Sequence, residues 1–137
     1  MERFIHPSKE TSKILSQWKD TGPVCMLNLL KFKEVANYEP FPALAPNAPI
    51  SGEEAYQRYM KAVNPLLEKA GSEILYFGGG NSFVIGPSNE TWDLVILVKH
   101  KSVPVFLDFA ASEAYQKIAG HRTAALEDSR LLPSTAL

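Results

Sequence analysis

The chain has 137 residues, 45% of them hydrophobic and 21% charged, with a formal net charge of −1. That is globular rather than disordered composition, and a pI near 6.3 provides no global field to recruit nucleic acid or an anionic membrane. The length suits one domain over residues 1–137. Cys25 stands alone and cannot form an internal disulfide, no apolar run approaches the ~20 residues of a membrane span, and MERFIHPSKE lacks a secretory core, so the expectation is a cytoplasmic protein.

Residues 1–22 read as an N-terminal helical extension, in which HPSKETSKILSQWKD sets Ile14, Leu15 and Trp18 on one side. Gly22-Pro23 ends it. From Val24 to Lys33 the run VCMLNLLKFK predicts a strand covered on both faces, interrupted only by Asn28. Residues 34–50 form a Pro/Ala-rich loop insertion, EVANYEPFPALAPNAPI, with four prolines and no helical or strand period. A loop of this length is a lid, a partner surface, or an insertion packed down by Phe41 and Leu44.

SGEEAYQRYMKAVNPLLEKAG predicts the clearest helix. Ser51 and Glu54 have capping-box spacing, Tyr56, Tyr59, Met60, Val63, Leu67 and Ala70 recur on one side, and Gly71 supplies the stop. Pro65 predicts a kink one turn upstream. SEILYFGGGNSFVIG reads as strand, glycine bend, strand. A phosphate loop would need a helix to open behind the glycines, and NSFVIG is strand-like instead. WDLVILVKH is a third buried strand. SVPVFLDFAASEAYQKIAG gives helix, a break near Ser112, and helix again. HRTAALEDSRLLPS carries one further helical turn into a short strand near Arg130–Leu132.

The resulting order, β-α-β-β-α-β, is the ferredoxin-like arrangement of the α+β class: a four-stranded antiparallel sheet with helices on one face. Strands one and three are nevertheless apolar at both parities, whereas a sheet with one wet face alternates. A second copy of the sheet is the most economical cover, so a homodimer is expected.

GPVCMLNLLKF, YQRYMKAVNPLLEKAG, WDLVILVKHKS and SEAYQKIAGHRTAALEDSRLL together resemble the family known as domain of unknown function 1330, within the dimeric α/β-barrel superfamily. The resemblance covers about Pro23 to Leu132. It implies a ferredoxin-like protomer whose sheet pairs with its twin into a barrel. It also places the chain among branches that include cofactor-free monooxygenases, lactone isomerases and haem-dependent enzymes. Where such relatives have an aromatic and a proline after strand three, this chain has His100 and Lys101.

Seven residues are candidates for chemistry. Asn28 is either a buried amide bonded across the sheet or a group that orients a ligand carbonyl or hydroxyl; the resemblance favours the second reading. His100 and His121 are candidate general bases, and with no HExxH, HxH or cysteine pair there is no zinc pattern. Tyr59 offers a pocket hydroxyl. Tyr115 and Arg122 project from one side if the helix resumes after Gly120, and could clamp a carboxylate; the alternative is an ion pair of Arg122 with Glu127, Asp128 or the terminal strand. Trp92 shares its parity with His100, in competition with Asp93 and Lys99, for the pocket face. These residues suggest a small-molecule-binding homodimer, without a cofactor, acting by proton transfer or oxygenation if it is an enzyme. A non-catalytic dimerisation module is the alternative, and haem binding a weaker one.

Overall fold

The computed structural model describes residues 2–137. Its elements are α1 (Ser12–Ser16), β1 (Val24–Phe32), α2 (Gly52–Lys69), β2 (Glu73–Gly79), β3 (Leu94–His100), α3 (Val103–Ala111), α4 (Glu113–Ala125) and β4 (Leu126–Ser134). The strands form one sheet in the order β2-β3-β1-β4, with every neighbouring pair antiparallel. This is the ferredoxin-like α+β topology expected from the element order.

Alternation along β1 decides where the helices lie. Val24, Met26 and Leu30 are buried. Leu30 packs with Ile96 of β3, with Ala55, Tyr56, Tyr59, Val63 and Leu67 of α2, and with Ala124 and Ala125 of α4. Val24 and Met26 pack with Val103 of α3, flanked by Leu15, Trp18 and Phe106. The helices therefore cover the even-numbered face of β1. The odd-numbered residues Cys25, Leu27 and Leu29 are only half-buried. They stand opposite Lys99, Leu97 and Val95 on β3, and Leu27 also stands opposite Leu132 on β4. Leu132 is 61% exposed and Tyr76 on β2 is 55% exposed. The second face is thus apolar and uncovered within one chain, the pattern that marks an interaction surface.

Local chemistry explains the helix boundaries. The Ser51 hydroxyl accepts from the Glu54 amide at 3.0 Å, while Glu53 and Glu54 complement the positive end of α2. Pro65 lies on the exposed side, and α2 continues unbroken past it. Ser112 both closes α3, donating to the Phe109 carbonyl at 2.7 Å, and caps α4, accepting from the Tyr115 amide at 3.2 Å. Gly120 does not stop α4. A Cβ there would lie 2.8 Å from Phe41 and Leu44, so the small residue is a socket in which the 34–50 loop is seated.

Three expectations are corrected. NSFVIG is no strand: beyond the bridge Ser82–Thr91 it is a hairpin tip, with Val84 and Ile85 almost fully exposed because no neighbouring strand is there to pair. The terminal strand is longer than Arg130–Leu132 and pairs with β1 along nearly its whole length. Within the N-terminal extension, the only helix among the described residues is the five-residue α1.

Candidate functional site

Asn28 occupies the helix-facing side of β1 between the two core clusters, with Met26 on one side and Leu30 on the other. Its amide nitrogen donates to the Met26 carbonyl at 3.2 Å and to the Ile96 carbonyl at 3.5 Å. Its Oδ1 accepts no hydrogen bond among the described residues, which leaves an acceptor on an otherwise apolar floor.

On the same, helix-facing side of the sheet runs a row of rings. Phe32, Tyr56, Tyr59, Tyr115, Phe109, His100 and Phe106 follow one another at centroid separations of 5.5, 5.2, 6.2, 5.0, 6.2 and 4.8 Å. Tilted and edge-on pairs of this kind add modestly to area burial. The hydroxyls of Tyr59 and Tyr115 lie 2.9 Å apart. One such bond uses one of the two hydroxyl protons, so the pair retains a donor for a third oxygen. Burial foremost, then the neighbouring tyrosines, hold the Tyr59 phenol well above its ordinary pKa, so it is a neutral donor.

His100 stands between Phe109 and Phe106 in that row. It is 2% exposed and its Nδ1 is hydrogen-bonded to the Ser72 hydroxyl at 2.7 Å. Burial lowers its pKa to about 4, so the ring is neutral near pH 7. Unfolding returns it to an ordinary value of 6.5, and the unfolded chain then binds the extra proton between pH 6.5 and 4. Stability contributed by His100 is therefore complete above pH 6.5 and lost as pH falls towards 4, on the order of 2–3 kcal/mol. Urea melts between pH 7 and 4.5 should show this slope, and His100→Gln should flatten it. An equal slope in the variant would assign the effect to other groups.

The remaining candidates stand outside the row of rings, and only Arg122 has its charge felt at Tyr56 and Tyr59. His121 is hydrogen-bonded through Nδ1 to the Tyr38 hydroxyl at 2.7 Å, and its pKa is lowered by burial and then by Arg58. Arg122 donates from Nη1 to the Ile5 carbonyl at 2.9 Å. Neither carboxylate considered for it is its partner: Glu127 pairs with Arg3 and Lys33, and Asp128 with Arg130. Trp92 is buried but joins neither core cluster. It lies under the Arg130 guanidinium at 5.0 Å, with Phe4 at 4.9 Å from the same cation. Leu94, Ile96 and Val98 pack towards the helices. The parity of His100 is thus the helix-facing one, and Trp92 departs from it.

The geometry brings Tyr59 and Tyr115 together and connects them through Phe109 to His100. It does not bring Trp92 or His121 to them. Ser72 and Tyr38, the partners of the two histidines, were missed by the sequence reading. Both lie in connecting segments where no period marks a side chain. Two open depressions, of about 410 and 330 Å³, indent the surface near the start of α2 and beside the N-terminal segment.

A four-stranded antiparallel sheet in this order, backed on one face by helices, makes the chain a ferredoxin-like α+β protein. The same fold is found in a dimeric protein of unknown function from Bacteroides fragilis, 13% identical, with a TM-score of 0.50 over 85% of this chain and 98% of that one. The chain belongs to the family described as domain of unknown function 1330, whose model matches residues 44–133. Much closer in sequence and structure is a protein of unknown function from Rhodopseudomonas palustris. It is 31% identical, with a TM-score of 0.85 over 99% of this chain and 98% of the other. No curated protein matches the chain.

Proposed function

We propose that the chain is a homodimer, joined through the open sheet face, that binds a small aromatic or acidic metabolite between its helices and its sheet. The observation that carries the site is the Tyr59–Tyr115 hydroxyl pair, which keeps a free donor in an apolar interior. With the unoccupied Oδ1 of Asn28 it makes a donor-and-acceptor set for a carbonyl or hydroxyl. Chemistry at such a site is proton transfer or oxygenation without a cofactor. His100, joined to the tyrosine pair through Phe109, exchanges a proton through Nε2, its Nδ1 being engaged by Ser72; His121, engaged by Tyr38, lies away from that pair. A dimerisation module that uses the 34–50 loop to meet a partner fits less well, because Phe41, Leu44 and Tyr38 in that loop are seated on α4.

A thermal-shift screen of aromatic acids and quinones tests the reading. Stabilisation by a subset of compounds is expected, and Asn28→Leu should keep the fold while weakening those ligands about tenfold, the worth of one buried hydrogen bond. A variant that loses stability, with no compound shifting the parent protein, would make Asn28 a structural amide.

A further inference from the structure

We infer that Arg122 and the hydroxyls of Tyr56, Tyr59 and Tyr115 form a subsite for the carboxylate of a small planar acid, entered from the depression beside Ile5 and His6. The inference rests on the small-molecule reading above and specifies the charge and shape of the ligand. Arg122 is half-buried and, among the described residues, only its Nη1 is engaged, by the Ile5 carbonyl. That contact orients the guanidinium and leaves the Nε and Nη2 donors, the edge that takes a carboxylate in bidentate fashion. The carboxylates that follow on β4 are committed to Arg3, Lys33 and Arg130. A half-buried cation with no counter-ion is costly, and a ligand anion relieves that cost.

Tyr56 supplies an independent observation. The residue is 4% exposed, and its hydroxyl makes no hydrogen bond among the described residues while its oxygen remains in reach of solvent. Its ring is held between Phe32 and Tyr59. Tyr56 and Tyr59 are three apart on α2, Tyr115 and Arg122 seven apart on the unbroken α4, and both pairs therefore project from single helix sides.

Burial dominates the pKa shifts of Tyr56, Tyr59 and His6. The Arg122 charge opposes it at the two tyrosines and adds to it at His6. The geometric link is Ile5, which accepts from Arg122, packs, as Tyr115 does, against the cluster that contains Tyr56 and Tyr59, and lines the depression. That depression, about 330 Å³, is lined by Ile5, His6, Phe41 and Thr123, with Arg3 and Lys33 against one carboxylate, Glu127. Its size is within the range of small-molecule sites, and its charge favours an anion.

Calorimetric titration of the native chain with benzoate and with its neutral isostere benzamide tests the subsite. Benzoate should bind at least about tenfold more tightly than benzamide. Arg122→Gln should abolish that preference by weakening benzoate far more than benzamide. Tyr56→Phe removes one oxygen and little packing, and should weaken benzoate roughly three- to tenfold; it carries the test if the arginine variant does not fold. Equal affinity for the two probes, or benzoate affinity unchanged in the variants, would overturn the carboxylate subsite and leave an uncharged pocket standing. Binding of neither probe would also overturn it, whereas the pocket itself stands or falls on the wider screen.

Discussion

Leu97→Lys is expected to convert the protein into single subunits without unfolding it. Leu97 stands in the middle of the open face, opposite Leu27 on β1 and Tyr76 on β2. In an isolated subunit the new ammonium would reach water, and the helix-side core would not register it. In a dimer it would be enclosed among Leu27, Leu29, Val95 and their counterparts, the carboxylate next to it on that face, Glu73, standing opposite Lys99 already. A central interface side chain is worth 2 kcal/mol or more, and burying an unpaired charge adds to the cost. Association should weaken by a factor on the order of 100 or more. Sedimentation velocity with far-UV circular dichroism reads both parts. A variant with the parent mass and spectrum would show that this face is not the interface.

A single methyl group at Gly52 is expected to cost about 3 kcal/mol, against the usual gain from replacing glycine in a helix. A Cβ there would meet the Lys33 carbonyl oxygen at 2.2 Å, the Ala125 carbonyl oxygen at 2.6 Å and the Lys33 amide nitrogen at 2.7 Å. All three are backbone atoms, and they cannot swing away. Lys33 donates to Ala125 at 2.8 Å and Gly52 donates to Lys33 at 3.0 Å, so the exit of β1, the start of α2 and the end of α4 meet at one junction. Gly52→Ala should lower the melting temperature by roughly 10 °C. Gly79→Ala, with nothing within 4 Å of its Cβ, is the control and should change little. A Gly52 variant as stable as the parent would mean that the junction yields freely.

What was legible in the sequence was what local pattern controls. Val24–Phe32 and Leu94–His100 announced central strands by being apolar at both parities, and Ser51 and Ser112 marked helix ends through side chains that bond their own neighbours. The fold followed from the order of these elements. Partners distant in sequence were not legible. The terminal strand was legible only near Arg130–Leu132; it runs the length of LEDSRLLPS because β1 pairs with it and because Asp128 and Ser129 bond the Phe4 backbone, 124 and 125 residues away. NSFVIG has strand composition but no neighbour. Gly120 looked like a helix stop, although its lack of a side chain serves Phe41 and Leu44. At the candidate site, helical spacing placed Tyr115 and Arg122 on one side, whereas the Ile5 carbonyl that holds Arg122 comes from 117 residues upstream. The role of Tyr56 was hidden in its periodicity, since a core tyrosine with an unbonded hydroxyl has the same spacing as one fully satisfied.

The central claim of the account is that a second copy closes the apolar sheet face, because that closure would account for Leu27, Leu29, Val95, Leu97 and Leu132 together. Sedimentation equilibrium of the unmodified chain over a dilution series into the low micromolar range measures this directly. The account predicts a mass twice that of the 15.2 kDa chain throughout. A mass of one chain at every concentration would contradict it.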